Sequence, residues 1–411
     1  MILLWLIAGF WASAIFGNAH ARVNKWDFSH YYLSAMALRS GPNPYTSDLA
    51  PMGESLGLQV DEINRATYPP TFLLCFEPLT LLRPVPAYWT WFGLNVLAVA
   101  LAFVLLLQNG SLDFARAMSF VALAVLYPPV MDHFKFAQSQ IAVLLCLVLM
   151  MSSLRRGDQA LAGLLLAFAT MLRVYPIVMV GYLIVERKWL ALRWMTIGIA
   201  VIGTITLAFV GWTVSLSFLG LFGFLTSKHW YEPTGNISIS ATTSRIFWYT
   251  LGVSLSPGLD LLRRVSGIAA EFAVLAITAR VTFSRAQIQK GLDSRVFALW
   301  IAGTIMLAPT AWFHYLVLLF IPYALIASAA YESAASRLTV WMAVSSYAII
   351  FVDMLVLPAI DPHSTSWLAI LLRERAIVSL GMAYVAAYWF VSDGPELWTV
   401  ALEATRQRID A

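Results

Sequence analysis

Apolar stretches close to the length of a membrane-crossing helix recur from one end of this sequence to the other. A helix needs about 20 apolar residues to cross a bilayer, and fewer where it is buried among neighbouring helices. By this rule the candidate spans are 1–18, 86–107, 115–131, 139–153, 159–172, 175–186, 191–211, 265–283, 296–309, 314–331, 337–357 and 376–391. Hydrophobic residues make up 60% of the chain and charged residues 12%, whereas soluble domains have about 45–50% and about 25%. The sequence therefore predicts an all-α, polytopic transmembrane protein with about twelve spans.

Three segments set the limits of this topology. Residues 1–18 lack the charged start of a signal peptide, so we expect them to be the first span. Segment 175–186 is short, and we expect 213–262 to contain an in-plane helix and a partial span. Because no low-complexity linker divides the chain and no segment repeats, the sequence indicates one membrane domain over residues 1–411.

Basic residues at one set of span ends predict the orientation. They are Arg155, Arg156, Arg187, Lys188, Arg193, Arg285, Lys290, Arg295, Arg337, Arg406 and Arg408. By the positive-inside rule this side is cytoplasmic. The long outer segments, 19–85 and 213–262, then lie on the opposite side, so we expect the function to face outward. The net charge of +4 includes no basic block, which argues against a nucleic-acid partner.

Asp27 is the first candidate functional residue. It is flanked by aromatic residues and starts a segment with helical spacing that ends at Gly41, and we expect this helix to lie along the membrane surface. Partial desolvation at the bilayer edge makes a carboxylate a stronger base, which suits proton abstraction. The alternative is that Asp27 only caps the helix, since Asp is a favoured N-cap residue.

Two Tyr-Pro-Pro segments, 68–70 and 127–129, come next. Proline lacks the N–H donor and clashes with the preceding turn, so 68–70 predicts a rigid, extended entry to the next apolar stretch, and 127–129 repeats the pattern at the outer end of another span. Lys135, Gln138 and Gln140 follow the second segment. Polar side chains near membrane depth are costly unless they are paired or face a cavity.

Arg173 lies in an apolar stretch beside Pro176, and an unpaired arginine there needs an anionic partner or water. A lipid phosphate is the natural partner, because a guanidinium matches phosphate oxygens with two parallel donors. The alternative is an arginine that extends from a span end to the interface.

Two later segments carry further polar groups at outer positions. In 228–245, Asn236, Ser238 and Ser240 can bind sugar hydroxyls or belong to an ordinary polar loop. At the start of another span, His314 follows Trp312; it can stabilise charge developing on a phosphate, or it can be a structural histidine.

Several catalytic and nucleotide-binding motifs are missing from the sequence. It has no P-loop, no G-x-S-x-G, no H-E-x-x-H and no Asp-x-Asp pair that would hold the metal of a sugar nucleotide. Its two cysteines, Cys75 and Cys146, lie in unrelated apolar contexts, which argues against a disulfide or a metal site. We therefore expect neither a nucleotide site nor a cofactor.

Six segments occur in the order found in a known family. They are WDFSHYYLSAMALRSGPNPY, TYPP, AQSQIAVLL, RVYP, GNISIS and PTAWFHY, which together extend over roughly residues 20–320. In these segments the chain resembles glycosyltransferase family 87, membrane mannosyltransferases with the GT-C fold. Two departures are Tyr315, where the family often has a second histidine after His314, and Ala137, where it has glycine.

The resemblance implies a polyprenyl-phosphate sugar donor, typically mannose, and a site on the periplasmic or outer face of the cell (inner) membrane. It implies Asp27 as the general base, with His314 and Arg173 near the donor phosphate. Further donor-binding candidates in or beside these segments are Lys135, Gln138, Tyr68, Asn236, Ser238 and Trp312, and the acceptor-binding candidates are Tyr31 and Tyr32. The acceptor is expected to be a lipid or a glycan.

The chemistry of the candidate residues agrees with this resemblance. A phosphate leaves without protonation, so one base and nearby cations suffice, no metal is required, and a single displacement inverts the anomeric centre. Two other functions stay open at this point: a lipid-linked sugar flippase or secondary transporter, and an O-antigen ligase or polymerase that takes a diphosphate-linked oligosaccharide.

Overall fold

Helices make up the regular structure in the part of the chain that is described. The computed structural model describes residues 27–58, 65–108, 112–252, 254–286, 294–356 and 366–392, and the isolated residues Leu6, Gly9 and Ser13. Within these ranges there is no strand, and one isolated bridge joins Asn236 to Trp312. The predicted all-α class is confirmed. The predicted first span, 1–18, lies outside the described residues apart from the three isolated ones.

We number the described α-helices in chain order. They are α1 Asp27–Ser40, α2 Ala50–Ser55, α3 Pro70–Phe76, α4 Pro84–Gln108, α5 Phe114–Leu126, α6 Pro128–Phe136, α7 Gln140–Arg155, α8 Gln159–Leu172, α9 Met179–Val185, α10 Trp189–Val210, α11 Trp212–Leu219, α12 Phe222–Leu225, α13 Lys228–Tyr231, α14 Ile239–Leu251, α15 Pro257–Ala286, α16 Ser294–Met306, α17 Phe320–Tyr331, α18 Arg337–Val356, α19 Trp367–Arg373 and α20 Arg375–Ser392. The 3₁₀ helices are Glu77–Leu81, Tyr175–Val178 and Phe313–Leu319. Each stretch predicted as a span after residue 18 corresponds to one of these helices or to a consecutive pair.

The predicted number of about twelve spans is not confirmed. Among the described residues, five helical units are long and apolar enough to cross a bilayer: α4, α10, α15, Phe313–Tyr331 and α20. Helices α5 and α6 make a sixth if they count as one span, bent by 54°. The other apolar helices, such as α7 and α8, are shorter. The protein is multi-pass, and among the described residues the remaining predicted spans correspond to shorter apolar helices.

The centre of the bundle is formed by helices that are buried on all sides. Helix α7 is buried at most positions from Gln140 to Leu154, and α16 is buried without a break from Val296 to Ile305. Outer helices instead expose large apolar side chains, for example Leu97 (68% exposed) on α4. Helices that are apolar all round belong in a protein interior, and exposed apolar faces of this kind match contact with lipid.

Small residues permit close packing of α8 against α10. A Cβ atom at Gly163 would lie 2.1 Å from the backbone oxygen of Ala191, and one at Gly198 would lie 2.7 Å from the Cβ of Ala167. Membrane helices commonly approach each other through such small residues. In lipid the hydrophobic effect does not drive helices together, so their association depends on close van der Waals packing.

Tyr68-Pro69-Pro70 starts a helix as predicted, and Tyr127-Pro128-Pro129, expected at the outer end of a span, also starts a helix. Pro69 is extended (φ −56°, ψ 147°) before α3, and Tyr127 is extended (φ −65°, ψ 118°) before α6. Proline in the first helical turn costs no hydrogen bond, because the N–H groups there have no intrahelical partner. The second segment makes the bend between α5 and α6, and α6 then packs on the 3₁₀ helix Phe313–Leu319.

Helix α1 forms over the expected residues and stops at Gly41, whose φ of +103° suits glycine. Its buried residues, including Phe28, Tyr31, Leu33 and Ala37, occur all around the helix rather than on one face. It packs on α3 and on the 3₁₀ helix Glu77–Leu81. Helix α1 is therefore packed into the protein core, and its expected position along the membrane surface stays a prediction.

Candidate active site

One cavity of about 500 Å³ gathers six of the residues predicted from the sequence. These six are Asp27, Tyr68, Gln138, Arg173, Trp312 and His314. Residues that the sequence analysis did not select also line it, among them Asp132, Trp230, Arg373 and Arg375. The cavity thus collects side chains from both long outer segments and from four further parts of the chain.

Two donors from distant segments hold the Asp27 carboxylate. The Tyr68 hydroxyl donates to Oδ1 and the Gln138 Nε2 donates to Oδ2, each over 2.5 Å. Burial, and then the negative charge of Asp27, raise the pKa of the Tyr68 hydroxyl well above its usual value, so Tyr68 stays protonated and donates. A carboxylate offers about four lone-pair sites, so Asp27 can still accept a hydrogen bond from a ligand. Asp27 is also the first residue of α1, where the helix dipole stabilises negative charge.

The turn after α6 directs Gln138 towards Asp27. Ala137 adopts the left-handed conformation (φ 54°, ψ 44°). The Gln138 N–H donates to the His133 carbonyl and the Ala137 N–H donates to the Phe134 carbonyl, which is the Schellman pattern of a helix C-terminus. The Trp91 indole donates to the Ala137 carbonyl over 2.8 Å and holds the turn from outside. This left-handed conformation, which glycine adopts easily, explains why the family that the chain resembles has glycine where this chain has Ala137.

Arg173 belongs to the same hydrogen-bond network as Asp27, through Gln138. Its Nε donates to the Ser139 hydroxyl over 2.9 Å, and its Nη2 donates to the Tyr31 hydroxyl (3.1 Å) and to Gln138 Oε1 (3.0 Å). Its guanidinium also lies over the Tyr68 ring, 4.5 Å from the centroid. Only 9% of Arg173 is exposed, so it is buried within the protein. These partners are neutral, so Arg173 orients Gln138 and contributes a positive charge to the cavity wall.

His314 lies opposite a carboxylate that the sequence analysis did not select. Its Nδ1 is 3.6 Å from Asp132 Oδ2, which is longer than a hydrogen bond and becomes an ion pair when His314 is protonated. The contact follows from the packing of α6 on the 3₁₀ helix that contains His314. The next residue, Tyr315, packs its ring on Tyr175, with centroids 4.8 Å apart. Where the family often has a second histidine, this chain has Tyr315, and the Tyr315 ring contacts the RVYP segment.

Asn236 and Ser238 are buried in the loop behind the cavity and do not line it. Asn236 Oδ1 accepts from the backbone N–H groups of Ser238 (3.1 Å) and Ala311 (3.3 Å), which joins its loop to the segment containing Trp312. The Ser238 hydroxyl accepts from the Ala241 N–H and caps α14. Both residues thus position Trp312 and the outer loop rather than contacting the cavity.

Three other predicted residues also lie away from the cavity surface. Lys135 is exposed on α6, with its ammonium group 5.0 Å from the Phe136 ring. Tyr31 is fully buried behind Gln138, to whose Oε1 it donates over 2.8 Å. The Tyr32 hydroxyl donates to the Leu82 carbonyl over 2.8 Å and ties α1 to the residues before α4. In this structure Tyr31 supports Gln138, the partner of Asp27, and Tyr32 supports the fold.

The corner between α19 and α20 supplies cavity residues that sequence reasoning missed. Arg373 ends α19, Glu374 is the corner residue, and Arg375 starts α20. Both arginines line the cavity, and the buried Glu374 is paired with Arg245. The available signal was an Arg-Glu-Arg sequence between two apolar stretches.

The arrangement suits removal of a proton next to an anionic group. Asp27 can take a proton from a hydroxyl, while three arginines and His314 can stabilise negative charge in the same cavity. Over the described ranges, no group of three or more His, Cys, Asp and Glu side chains is placed to hold a metal ion.

Comparison with known proteins places the chain in a family. No curated protein matches it. Its structure has a TM-score of 0.40 and 15% sequence identity to the crystal structure of ArnT from Cupriavidus metallidurans bound to undecaprenyl phosphate, over 95% of this chain and 76% of that chain. The family model of glycosyltransferase family 87 matches residues 66–309, more than half of the chain, a range that includes Gln138 and Arg173 and lies between Asp27 and His314. The chain therefore belongs to glycosyltransferase family 87 and is a multi-pass membrane glycosyltransferase.

Proposed function

We propose that this protein transfers a hexose, mannose in the first instance, from a polyprenyl-phosphate sugar to a hydroxyl group of a lipid or glycan acceptor. The observation that carries the proposal is the position of Asp27, held by Tyr68 and Gln138 in the wall of a cavity that three arginines also line. Family membership supports the glycosyl transfer itself. The choice of a polyprenyl-phosphate donor and of mannose rests on the family resemblance of the six motifs.

The proposed reaction is one displacement at the anomeric carbon. The acceptor hydroxyl gives its proton to the Asp27 carboxylate as its oxygen forms the new bond to the anomeric carbon. The bond from that carbon to the phosphate oxygen breaks, and its electron pair leaves with the polyprenyl phosphate, which gains one negative charge. The arginines stabilise this added charge, so no acid is needed to protonate the leaving group. The configuration inverts, and a β-linked donor gives an α-linked product.

The proposed orientation places this cavity on the periplasmic or outer side of the cell membrane. Support comes from the basic residues at the opposite ends of the spans, which the positive-inside rule assigns to the cytoplasm. A lipid-linked donor fits this location, because its prenyl chain can stay among the apolar helices while its phosphate enters the cavity.

A transfer assay on membranes tests the proposal. Membranes containing the protein are incubated with polyprenyl-phosphate mannose labelled in the sugar, together with a total lipid extract, beside membranes lacking the protein. The proposal expects label in a new product only when the protein is present, with an α-linkage. Movement of the intact donor across sealed vesicles without transfer would instead show a flippase. Transfer only from diphosphate-linked oligosaccharides would show a ligase or polymerase.

Glucose-labelled and arabinose-labelled polyprenyl phosphates serve as matched donors in the same assay. A higher rate with either would replace mannose in the proposal and leave the transfer chemistry in place.

A further inference from the structure

The corner between α19 and α20 presents two arginines to the cavity. Arg373 and Arg375, here called the arginine pair, flank Glu374, and each is 8% exposed. Both line the cavity that Asp27 also lines. Two guanidinium groups so largely removed from solvent form a wall of high positive charge, which favours an anionic ligand.

The corner is held in place by a buried ion pair between Glu374 and Arg245 of α14. Arg245 Nε donates to Glu374 Oε1 over 2.6 Å and Arg245 Nη2 donates to Oε2 over 2.5 Å, a two-pronged contact. Arg245 Nη1 also donates to the Tyr231 and Pro233 carbonyls over 2.8 and 3.0 Å. Arg245 and Glu374 are 1% and 4% exposed, so water does not weaken the pair.

This ion pair also shapes the charge of the cavity wall. Glu374 lies between the two arginines in sequence but is absent from the cavity lining, because its carboxylate is bound by Arg245 behind the wall. Pairing with Arg245 compensates the one negative charge of the Arg-Glu-Arg segment. The pairing therefore keeps the Glu374 carboxylate out of the cavity that Arg373 and Arg375 line.

Local contacts orient both guanidinium groups in advance. Arg373 lies over the Tyr249 ring, 4.1 Å from the centroid. Arg375 Nη1 donates to the Leu372 carbonyl over 2.9 Å, within the same corner. A guanidinium has five N–H donors, so an arginine held in this way can still bind an oxyanion. A planar fork that is fixed before binding loses less entropy when it binds phosphate oxygens.

The geometry points to the arginine pair as the binding site for the donor's phosphate, with Arg245 and Glu374 as positioning residues. Arg173 differs from this pair, because its Nε and Nη2 bind Ser139, Tyr31 and Gln138 next to the base. This inference rests on the proposed function, since it assigns one part of the donor to one wall of the same cavity. The phosphate then lies on the α19–α20 side, and Asp27 acts from the α1 side.

Direct binding tests the inference without a transfer step. Purified full-length protein in detergent is titrated with a polyprenyl phosphate and, as a matched ligand without the phosphate, with the corresponding polyprenol. Arg373→Gln and Arg375→Gln are each expected to weaken polyprenyl phosphate binding by about 10- to 100-fold, the usual effect of losing a hydrogen bond to a charged group. Polyprenol binding is expected to stay within about twofold. Arg264→Gln, which removes an exposed arginine that pairs with Asp260, serves as the control and is expected to change neither.

The positioning residues are tested in the same titration. Glu374→Gln is expected to weaken polyprenyl phosphate binding while polyprenol binding is kept, whereas a purely structural residue would change both or neither. Arg375→Lys keeps the charge and is expected to bind between the wild-type protein and Arg375→Gln. Melting temperatures of all variants identify any that fail to fold, and these are replaced by the lysine variants.

The outcomes separate this inference from the proposed function. Unchanged polyprenyl phosphate binding in both glutamine variants would overturn the inference, and so would equal losses for polyprenyl phosphate and polyprenol. If the wild-type protein transfers sugar and these variants keep their donor KM, only the phosphate assignment fails. If the wild-type protein binds the polyprenol but shows no preference for the polyprenyl phosphate, both the assignment and the proposed donor fail.

Discussion

The side-chain amide of Gln138 donates a hydrogen bond of 2.5 Å to the Asp27 carboxylate, although the two residues are 111 positions apart in the chain. Gln138 Oε1 in turn accepts from Tyr31 and Arg173. An amide that accepts on its oxygen is fixed in orientation, so its nitrogen must point at Asp27. With Tyr68, which donates to the other carboxylate oxygen, the Asp27 carboxylate is therefore oriented by a network whose residues come from four separate segments.

Removing the Gln138 amide is expected to lower kcat more than it changes KM. Gln138→Ala leaves Asp27 with one fewer donor and loosens Arg173, which shifts the carboxylate from the position in which it takes the proton. We expect kcat/KM to fall by about 10- to 100-fold, as for a hydrogen bond to a charged group. Gln159→Ala, at the start of α8, is the control. Equal kcat values for Gln138→Ala and the wild-type protein would show that the network does not orient the base.

Ala137→Gly is expected to stabilise the protein and keep its activity. Ala137 has a φ of 54°, a conformation that costs a residue with a Cβ atom about 1 kcal/mol and costs glycine almost nothing. Part of this gain is offset because glycine gives the unfolded chain more conformational freedom. We expect a higher melting temperature in detergent, with transfer unchanged.

Ala100→Gly is the matched control for this substitution, because Ala100 lies in the interior of α4 with an exposed side chain. There glycine is expected to lower the melting temperature, since it weakens a regular helix by about 1 kcal/mol. If Ala137→Gly also lowers the melting temperature, that result contradicts the left-handed conformation of Ala137.

Gly163→Val is expected to disrupt the pairing of α8 with α10. A Cβ atom at this position would lie 2.1 Å from the Ala191 backbone oxygen, so the two helices would have to separate. Overpacking of this kind costs about 1–3 kcal/mol or more, and we expect a clear loss of melting temperature and of folded yield. Gly203→Ala on α10 is the control, because no atom lies within 4 Å of its added Cβ. Similar melting temperatures for the two variants would show that the helices do not pack as described.

The residues that could be predicted from the sequence are those whose type alone indicated a task. Asp27, Gln138, Arg173 and His314 are polar side chains in apolar surroundings, where an unpaired polar group is costly, and all four meet in one cavity. Asn236 and Ser238 are also polar and were also predicted to belong to the site, yet their side chains bind nearby backbone groups. Local polarity does not distinguish these two outcomes, since only the folded chain decides which backbone groups lie within reach.

The arginine pair could not be predicted for a different reason. Its place in the cavity depends on Arg245 reaching Glu374, and these residues are 129 positions apart. The periodicity of a sequence does not reveal a contact between residues so far apart in the chain. Burial was equally hard to predict for α1, because serine, histidine and charged residues are interspersed among its apolar residues and the surrounding helices cover it. The number of spans is not confirmed for a related reason, since the sequence alone does not distinguish a short apolar helix inside a bundle from a membrane span.

The most direct test of Asp27 as the base compares the Asp27→Asn and Asp48→Asn variants. Both replace a carboxylate of the same outer segment by an amide of equal size, but Asp48 is exposed and accepts from the Ala50 N–H. Transfer from polyprenyl-phosphate mannose is measured together with donor binding and melting temperature. We predict that Asp27→Asn folds and binds the donor but loses at least about 100-fold in turnover, as for a lost general base, while Asp48→Asn turns over like the wild-type protein. Near-normal turnover by Asp27→Asn would contradict the account and remove Asp27 from the mechanism.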